Sequence, residues 1–287
     1  METPVIRHGA VSVFPGEKSG KYPDGNQVTV RGADSLAVFD TPLVANRLGS
    51  ELLDADLVVL GHVHEDHMAG LHRLRHAAMY VHEADVEAAR SWDGLARHYG
   101  YAASVLGGMK AKIEREFHYA PRPDAQAYKD GACWDLGGGV TVRAFHMPGH
   151  TSGHCVLLVE PGGIAFIGDI DLSSFGPYYG DATSSLAQFR RTLEAVKDIP
   201  AKVWITSHHK GVITDRETFL ALLKAFASRL DAREEAIADY LRQHPSTLAE
   251  LVAHRFVYPR DLDDLYYTDA ERRTIEQHLE SLARAGR

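Results

Sequence analysis

The run Val59-Leu60-Gly61-His62-Val63-His64-Glu65-Asp66-His67-Met68-Ala69-Gly70 limits the folds open to this chain more than any other stretch. Four metal-competent side chains fall within six residues, directly after an apolar run. In extended chain His62 and His64 point to the same side, so two imidazoles converge on one ion. A turn into a helix then brings Asp66 and His67 to face a second ion close to the first. Neutral imidazole and carboxylate are ligand types that zinc accepts while leaving a position open for water.

Three later positions repeat the arrangement, each a ligand-type residue closing an apolar run. Phe145-His146-Met147-Pro148-Gly149-His150 places His150 after a Pro-Gly turn, Ile164–Gly168 leads to Asp169, and Val203–Ser207 leads to His208 and His209. Active sites of layered α/β folds gather at strand ends, where loops converge. Between these points the chain alternates β-type and helical runs. Strands are predicted at Gln27–Arg31, Ser35–Asp40, Asp56–Leu60, Met79–His82, Val140–His146, Cys155–Glu160, Ile164–Gly168 and Val203–Thr206. Helical stretches are predicted at His67–Arg75, Glu83–Arg90 and Ser184–Val196. Continuous apolar runs such as Leu57–Leu60 suit strands covered on both faces, which indicates an α/β architecture with buried sheet.

Two regions leave this rhythm. Residues 91–132 are polar and aromatic, with Pro121 and Pro123 near the end, and read as an inserted cap or lid over a site. From Thr214 onward the β signal stops. Thr214/Glu217, Thr247/Glu250 and Thr268/Glu271 have capping-box spacing and open helical runs at about 215–243, 247–254 and 269–284. The expected organisation is a catalytic unit over 1–213 and a helical appendage over 214–287.

Composition narrows the function. The formal charge is −8, so no broad positive surface exists to neutralise a phosphate backbone. The 17 histidines in 287 residues are roughly two to three times average usage. With only Cys133 and Cys155, a disulfide scaffold and a four-cysteine zinc site are excluded, and both cysteines are expected as small buried residues. The start lacks the apolar core of a secretion signal, and no 18-residue apolar run occurs. A cytoplasmic protein with no membrane span is therefore expected.

On these motifs the chain resembles the metallo-β-lactamase-fold hydrolase superfamily over roughly residues 5–213. Asp40, in Val38-Phe39-Asp40-Thr41, is similar to the family's first motif, a structural aspartate. His62, His64, Asp66 and His67 resemble its second, and His150, Asp169 and His208 its third, fourth and fifth. The resemblance implies a four-layer αββα sandwich. It implies that His62, His64 and His150 hold one divalent ion, that Asp66, His67 and His208 hold another, and that Asp169 bridges. The ions are expected to be zinc, with iron or manganese as alternatives. The fifth motif departs from the family in reading Ser207-His208-His209, so His209 is a further candidate for a metal or substrate role. The tail is similar to the winged-helix-like appendage of the lactamase-β-like protein 2 branch, around which thioester hydrolysis and single-stranded RNA cleavage are known. Its net charge over residues 228–287 is 9 basic minus 12 acidic, or −3, which reads as a packing or homodimerisation module.

The mechanism so implied is attack by a metal-bridging hydroxide on a small thioester, lactone or related carboxyl ester, with Asp66 and Asp169 as catalytic carboxylates. Alternatives on the same fold are a metal-dependent ribonuclease and a mononuclear-iron persulfide dioxygenase. The stretch Leu172–Asp181 is expected to border the pocket, with Tyr178, Tyr179 and His209 as candidate substrate contacts. His146 and His154 are candidates for groups behind the ligands, whereas His72, His76 and His82 read as surface or packing residues.

Overall fold

Apolar side chains alternate between the two faces of most strands, and that alternation builds the layers. In the computed structural model, residues 5–260, 262 and 266–287 are described; the first four residues of the expected catalytic unit, and residues 261 and 263–265 of the expected appendage, lie outside them. β1 (Ile6–His8), β2 (Val11–Phe14), β3 (Gln27–Arg31), β4 (Leu36–Phe39), β5 (Leu57–Val59), β6 (Ala78–His82) and β7 (Gln126–Tyr128) form one sheet in that order. It is antiparallel from β1 to β4 and parallel from β4 to β7. The second sheet has the order β13-β12-β11-β10-β9-β8. Its strands are β8 (Cys133–Asp135), β9 (Thr141–His146), β10 (Cys155–Glu160), β11 (Ile164–Phe166), β12 (Val203–Ile205) and β13 (Val212–Ile213).

Ala37 and Phe39 of β4, Leu57 and Val59 of β5, and Cys155, Leu157 and Val159 of β10 fill one cluster between the sheets. Phe39 meets Phe166 across it at 5.8 Å between ring centroids. The alternate residues face outward. Leu36, Val38 and Val58 pack with Leu95, Met109 and Ile113 on one side. Val156, Leu158 and Trp204 pack with Phe189, Phe219 and Phe226 on the other. Burying each large aromatic side chain contributes about 2 kcal/mol. The result is helix, sheet, sheet, helix, the expected αββα sandwich.

The elements differ from expectation where longer-range contacts intervene. The hairpin β1-β2 opens the first sheet, ahead of the first predicted strand. The predicted helix His67–Arg75 is instead two 3-10 turns, Glu65–His67 and Leu71–Arg73. Thr41 N–H donates to His67 O at 2.8 Å and Gly70 N–H to Thr41 O at 2.8 Å, so backbone groups a helix would use internally are taken by a neighbouring segment. Residues 91–132 hold two helices, Trp92–Tyr99 and Ala103–Glu116, but end in β7, an edge strand of the first sheet. The segment is thus partly framework, not solely a lid. Cys155 is buried as expected, whereas Cys133 is exposed on β8.

In the C-terminal region the Thr247/Glu250 capping box forms as read. The other two do not. Asp215 caps helix Arg216–Gln243 by accepting from Thr218 N, and helix Tyr267–Arg284 starts after Tyr266. Glu271 instead accepts from the backbone N–H groups of Phe256, Val257 and Tyr258. Helix Arg216–Gln243 lies wholly beyond the expected boundary at 213/214, yet it packs into both parts of the chain. Its Phe219, Leu223, Phe226 and Leu230 belong to the sandwich's outer cluster. Its Ile237 and Ala238 join Leu251, Ile275 and Leu282 in a small separate core. Among the described residues no strand follows Ile213, and the regular elements of the tail are all helices. Among the described residues no helix is long and apolar enough to cross a membrane.

Candidate metal centre

Each predicted ligand follows the end of a strand, where the backbone leaves the ladder and its side chain is free to turn inward. His62 and His64 come after β5, His150 after β9, Asp169 after β11 and His208 after β12. His62, His64, His150 and Asp169 place one ligand atom each within 4.8 Å of one another, and so do Asp66, His67 and His208. In the first group His150 Nε2 lies 3.2 Å from His62 Nε2, 3.1 Å from His64 Nδ1 and 3.3 Å from Asp169 Oδ2. In the second, His208 Nε2 is 3.1 Å from Asp66 Oδ2 and 3.3 Å from His67 Nε2. Asp169 joins them: its Oδ1 is 3.2 Å from His67 Nε2 and 3.5 Å from His208 Nε2, while Oδ2 faces His150.

The outer ring nitrogens explain which way the lone pairs point. His150 Nδ1 donates to Tyr178 O at 3.0 Å, and His208 Nδ1 is within 2.8 Å of Gly20 O and 2.9 Å of Asp24 O. His67 Nδ1 donates to Asp40 Oδ2 at 2.8 Å, and His64 Nε2 to Asp181 Oδ2 at 2.7 Å. A neutral imidazole carries one proton, so each of these four rings presents a bare nitrogen to the centre. Asp169 Oδ1 is buried without a hydrogen-bond partner. Lone pairs converging on lone pairs are repulsive unless a cation sits among them. The donor set, nitrogen and carboxylate oxygen, fits divalent metal.

Electrostatics agree. Burial opposes charge on His67, but Asp66, Asp169 and Asp40 outweigh it and raise its pKa well above the ordinary value. Burial likewise opposes charge on His208, which Asp169 and Asp66 nonetheless raise to about 9. Asp169 stays ionised well below the usual carboxylate range because His67 and His208 overcome its desolvation. His62 goes the other way, pushed down by burial and by His67. The centre favours positive charge at its middle.

Supporting groups were legible only in part. Asp40, read as structural, also accepts from Gly61 N at 2.7 Å, which ties the β5 exit to the ligand loop. His154 lies beneath the centre, as expected of a group behind the ligands. Its Nδ1 donates to Met147 O at 3.0 Å, Asp169 N donates to its Nε2 at 3.3 Å, and burial holds it down to about 3. A Cβ on Gly168, whose φ is +54°, would stand 2.7 Å from that nitrogen, so the turn into Asp169 needs glycine. His146 is elsewhere, stacked on His82 at 4.1 Å.

A cavity of about 700 Å³ opens onto both clusters. Tyr178 and His209 line it, with His209 Nε2 3.7 Å from Asp171 rather than in either cluster. Tyr179 does not. It is 1% exposed in the sandwich's outer core, and its hydroxyl meets His278 Nε2 at 2.8 Å. The two neighbouring tyrosines thus face opposite ways, Tyr178 to the cavity and Tyr179 to the core. The wall also includes Tyr22, Glu65, Tyr99 and Tyr101, and from the C-terminal region Tyr258 and Tyr266. None of these six was a named sequence candidate, although Glu65 lies inside the His62–His67 run and Tyr99 and Tyr101 lie in the aromatic 91–132 segment read as a cap.

The family model of the metallo-beta-lactamase superfamily matches residues 26–208. The chain belongs to the metallo-beta-lactamase superfamily. Within that superfamily, the chain is 23% identical over 254 residues to a beta-lactamase-like protein 2 homolog of Drosophila melanogaster, covering 86% of this chain and 76% of that one. It is 26% identical over 164 residues to an atrochrysone carboxyl ACP thioesterase of Pseudocercospora fijiensis, covering 57% of this chain and 46% of the relative. Among solved structures, a metallo-beta-lactamase family protein of Thermus thermophilus superposes with a TM-score of 0.70 at 24% identity, covering 97% of this chain and 95% of that one. The fold and the His/Asp cluster are those of a superfamily whose members are mostly metal-dependent hydrolases.

Proposed function

We propose that this chain is a binuclear metal-dependent hydrolase of small thioesters, lactones or related carboxyl esters. The observation that carries the reading is Asp169, whose two oxygens face two separate ligand groups. His62, His64 and His150 would hold one ion and Asp66, His67 and His208 the other, with Asp169 shared. Divalent ions bound there, zinc first, supply Lewis acidity and bring the pKa of water toward neutrality.

The chain's own groups do the rest. Asp66 and Asp169 border the cavity and orient the attacking water, and a carboxylate oxygen of Asp66 takes its proton. Asp40, Asp181 and the carbonyls of Gly20, Asp24 and Tyr178 hold the imidazoles in register. The cavity is of small-molecule size, and the net charge of −8 opposes a nucleic-acid substrate. The likeness to a named thioesterase over part of the chain supports acyl-ester chemistry.

Metal analysis of gently purified protein together with a thioester and lactone panel tests this. About two transition-metal ions per chain are expected, and His62→Ala should lower hydrolysis by about a thousandfold or more. Fewer than about one ion per chain, or unchanged hydrolysis in His62→Ala, overturns the reading.

A further inference from the structure

Two features of the cavity extend beyond the groups assigned to metal. The first is a row of parallel rings leading away from the centre. His64 lies parallel to Tyr99 (6.0 Å, 4°), Tyr99 to Tyr101 (5.5 Å, 12°) and Tyr101 to Tyr266 (6.0 Å, 14°). All four border the cavity, and Tyr258 and Tyr267 extend its aromatic lining. The hydroxyls nearest the centre are already engaged. Tyr99 donates to Glu65 Oε2 and Tyr101 to Asp181 Oδ1, each at 2.5 Å. Tyr99 and Tyr101 are 2% and 7% exposed, so the open ring surface of the row lies at its outer end, on the half-buried Tyr266.

The second feature is a cationic lip. The loop bearing Lys21 is stitched to the loop bearing Lys210. His208 Nδ1 reaches Gly20 O and Asp24 O, Asn26 N donates to Ser207 O at 2.7 Å, and Asn26 Nδ2 donates to Thr206 O at 3.1 Å. Lys21 and Lys210 are exposed, both border the cavity, and neither has an ion-pair partner among the described residues. The nearby acids have other partners: Glu65 accepts from Tyr22 and Tyr99, and Asp171 Oδ1 accepts from Ser173 N at 2.9 Å. In a chain of net charge −8, two unpaired ammonium groups at one mouth make a local site for a single anionic group. They are too few for a polyanion.

We propose that the pocket selects esters whose portion remote from the scissile bond is a flat aromatic group bearing one anionic substituent, the ring against the tyrosine row and the anion at Lys21 and Lys210. This deepens the hydrolase reading and rests on it. Aromatic pairs contribute beyond their buried area, and a preformed wall limits the ordering cost on binding. It also assigns the C-terminal region a role in selecting substrate, through Tyr266.

Calorimetric titration of the full, metal-loaded chain with naphthalenesulfonate, naphthol and hexanesulfonate tests the proposal. Sulfonate is a weak metal ligand, so binding reports the lip and not the centre. Naphthalenesulfonate should bind most tightly. K21Q/K210Q should weaken it about tenfold and leave naphthol unchanged. Y266L should weaken both naphthyl compounds about fivefold and spare hexanesulfonate. Equal affinity for the three probes, or unchanged naphthalenesulfonate binding in K21Q/K210Q, overturns it. Both lysines are exposed, so that double variant folds as the parent does and decides the matter even if Y266L is destabilised. The binding pattern without hydrolysis of any ester would uphold the site for a flat anionic group and sink the hydrolase reading. Hydrolysis without the pattern would do the reverse.

Discussion

Asp181 uses both oxygens at once. Oδ2 accepts from His64 Nε2 at 2.7 Å, and Oδ1 accepts from the hydroxyls of Tyr101 and Tyr178 at 2.5 and 3.0 Å. It is fully buried, so its charge is stabilised by these donors and little else. Desolvation would raise its pKa, but the His64 contact wins and holds it below the usual range. A carboxylate behind a metal-ligating histidine fixes the tautomer and raises ligand basicity. Asp181→Asn should therefore weaken divalent-metal binding by about tenfold to a hundredfold, read by competition with a chelating dye. Unchanged affinity would show that the ring is oriented by packing alone. The clustering of candidate ligands was readable from sequence because His62, His64, Asp66 and His67 sit within one strand exit. Asp181 was only the last residue of a stretch expected near the pocket.

At the scale of elements, helix Tyr267–Arg284 is fastened to the sandwich by Asp269, Gln277 and His278, and only the histidine among them titrates near neutral pH. His278 Nδ1 donates to Glu234 Oε2 at 3.2 Å, and its Nε2 accepts from the Tyr179 hydroxyl at 2.8 Å. Burial pushes His278 down to about 4, against the ordinary 6.5. Because the folded value is the lower one, the unfolded chain takes up the proton first as pH falls. The contribution is fully present above pH 6.5 and is lost between there and about pH 4. The loss amounts to about 2 kcal/mol at pH 5. Urea unfolding at about pH 7 and pH 5 should show His278→Gln losing less stability than the parent by about that amount. Equal losses in the two proteins would remove His278 from the account. Element boundaries were the least legible level. The 65–75 segment has helical spacing, yet Thr41 captures its backbone; Thr268 has capping spacing, yet Glu271 is drawn to the 256–258 backbone. In both cases a distant partner outcompetes the local bond.

For the whole molecule, the metal centre is where the sandwich's loops meet. Ligands come from the exits of β5, β9, β11 and β12, strands of both sheets. Ions held by all of them would resist separation of the layers. At an ion concentration a hundredfold over the dissociation constant the gain is about 2.7 kcal/mol per site. Chelation should lower Tm by about 5–10 °C in a thermal melt, restored on adding back metal. An unchanged melt would mean the centre does not bind metal in the folded chain. The helix Arg216–Gln243 shows why no cut at 213/214 separates two independent units: one half completes the sandwich and the other starts the small core.

Local sequence determined the ligand types, their order along the chain and the alternation that stacks four layers, since each depends on residues within one strand or its exit. Tertiary structure alone decided what stands behind and around those ligands. His64 and Asp181 are 117 positions apart, and Asn26 and Thr206 are 180 apart. The tyrosine row is assembled from residues 99, 101 and 266. A side chain's second partner is set by which distant surface packs against it, and no periodicity records that. The same packing turned Tyr179 into the core while leaving Tyr178 at the cavity.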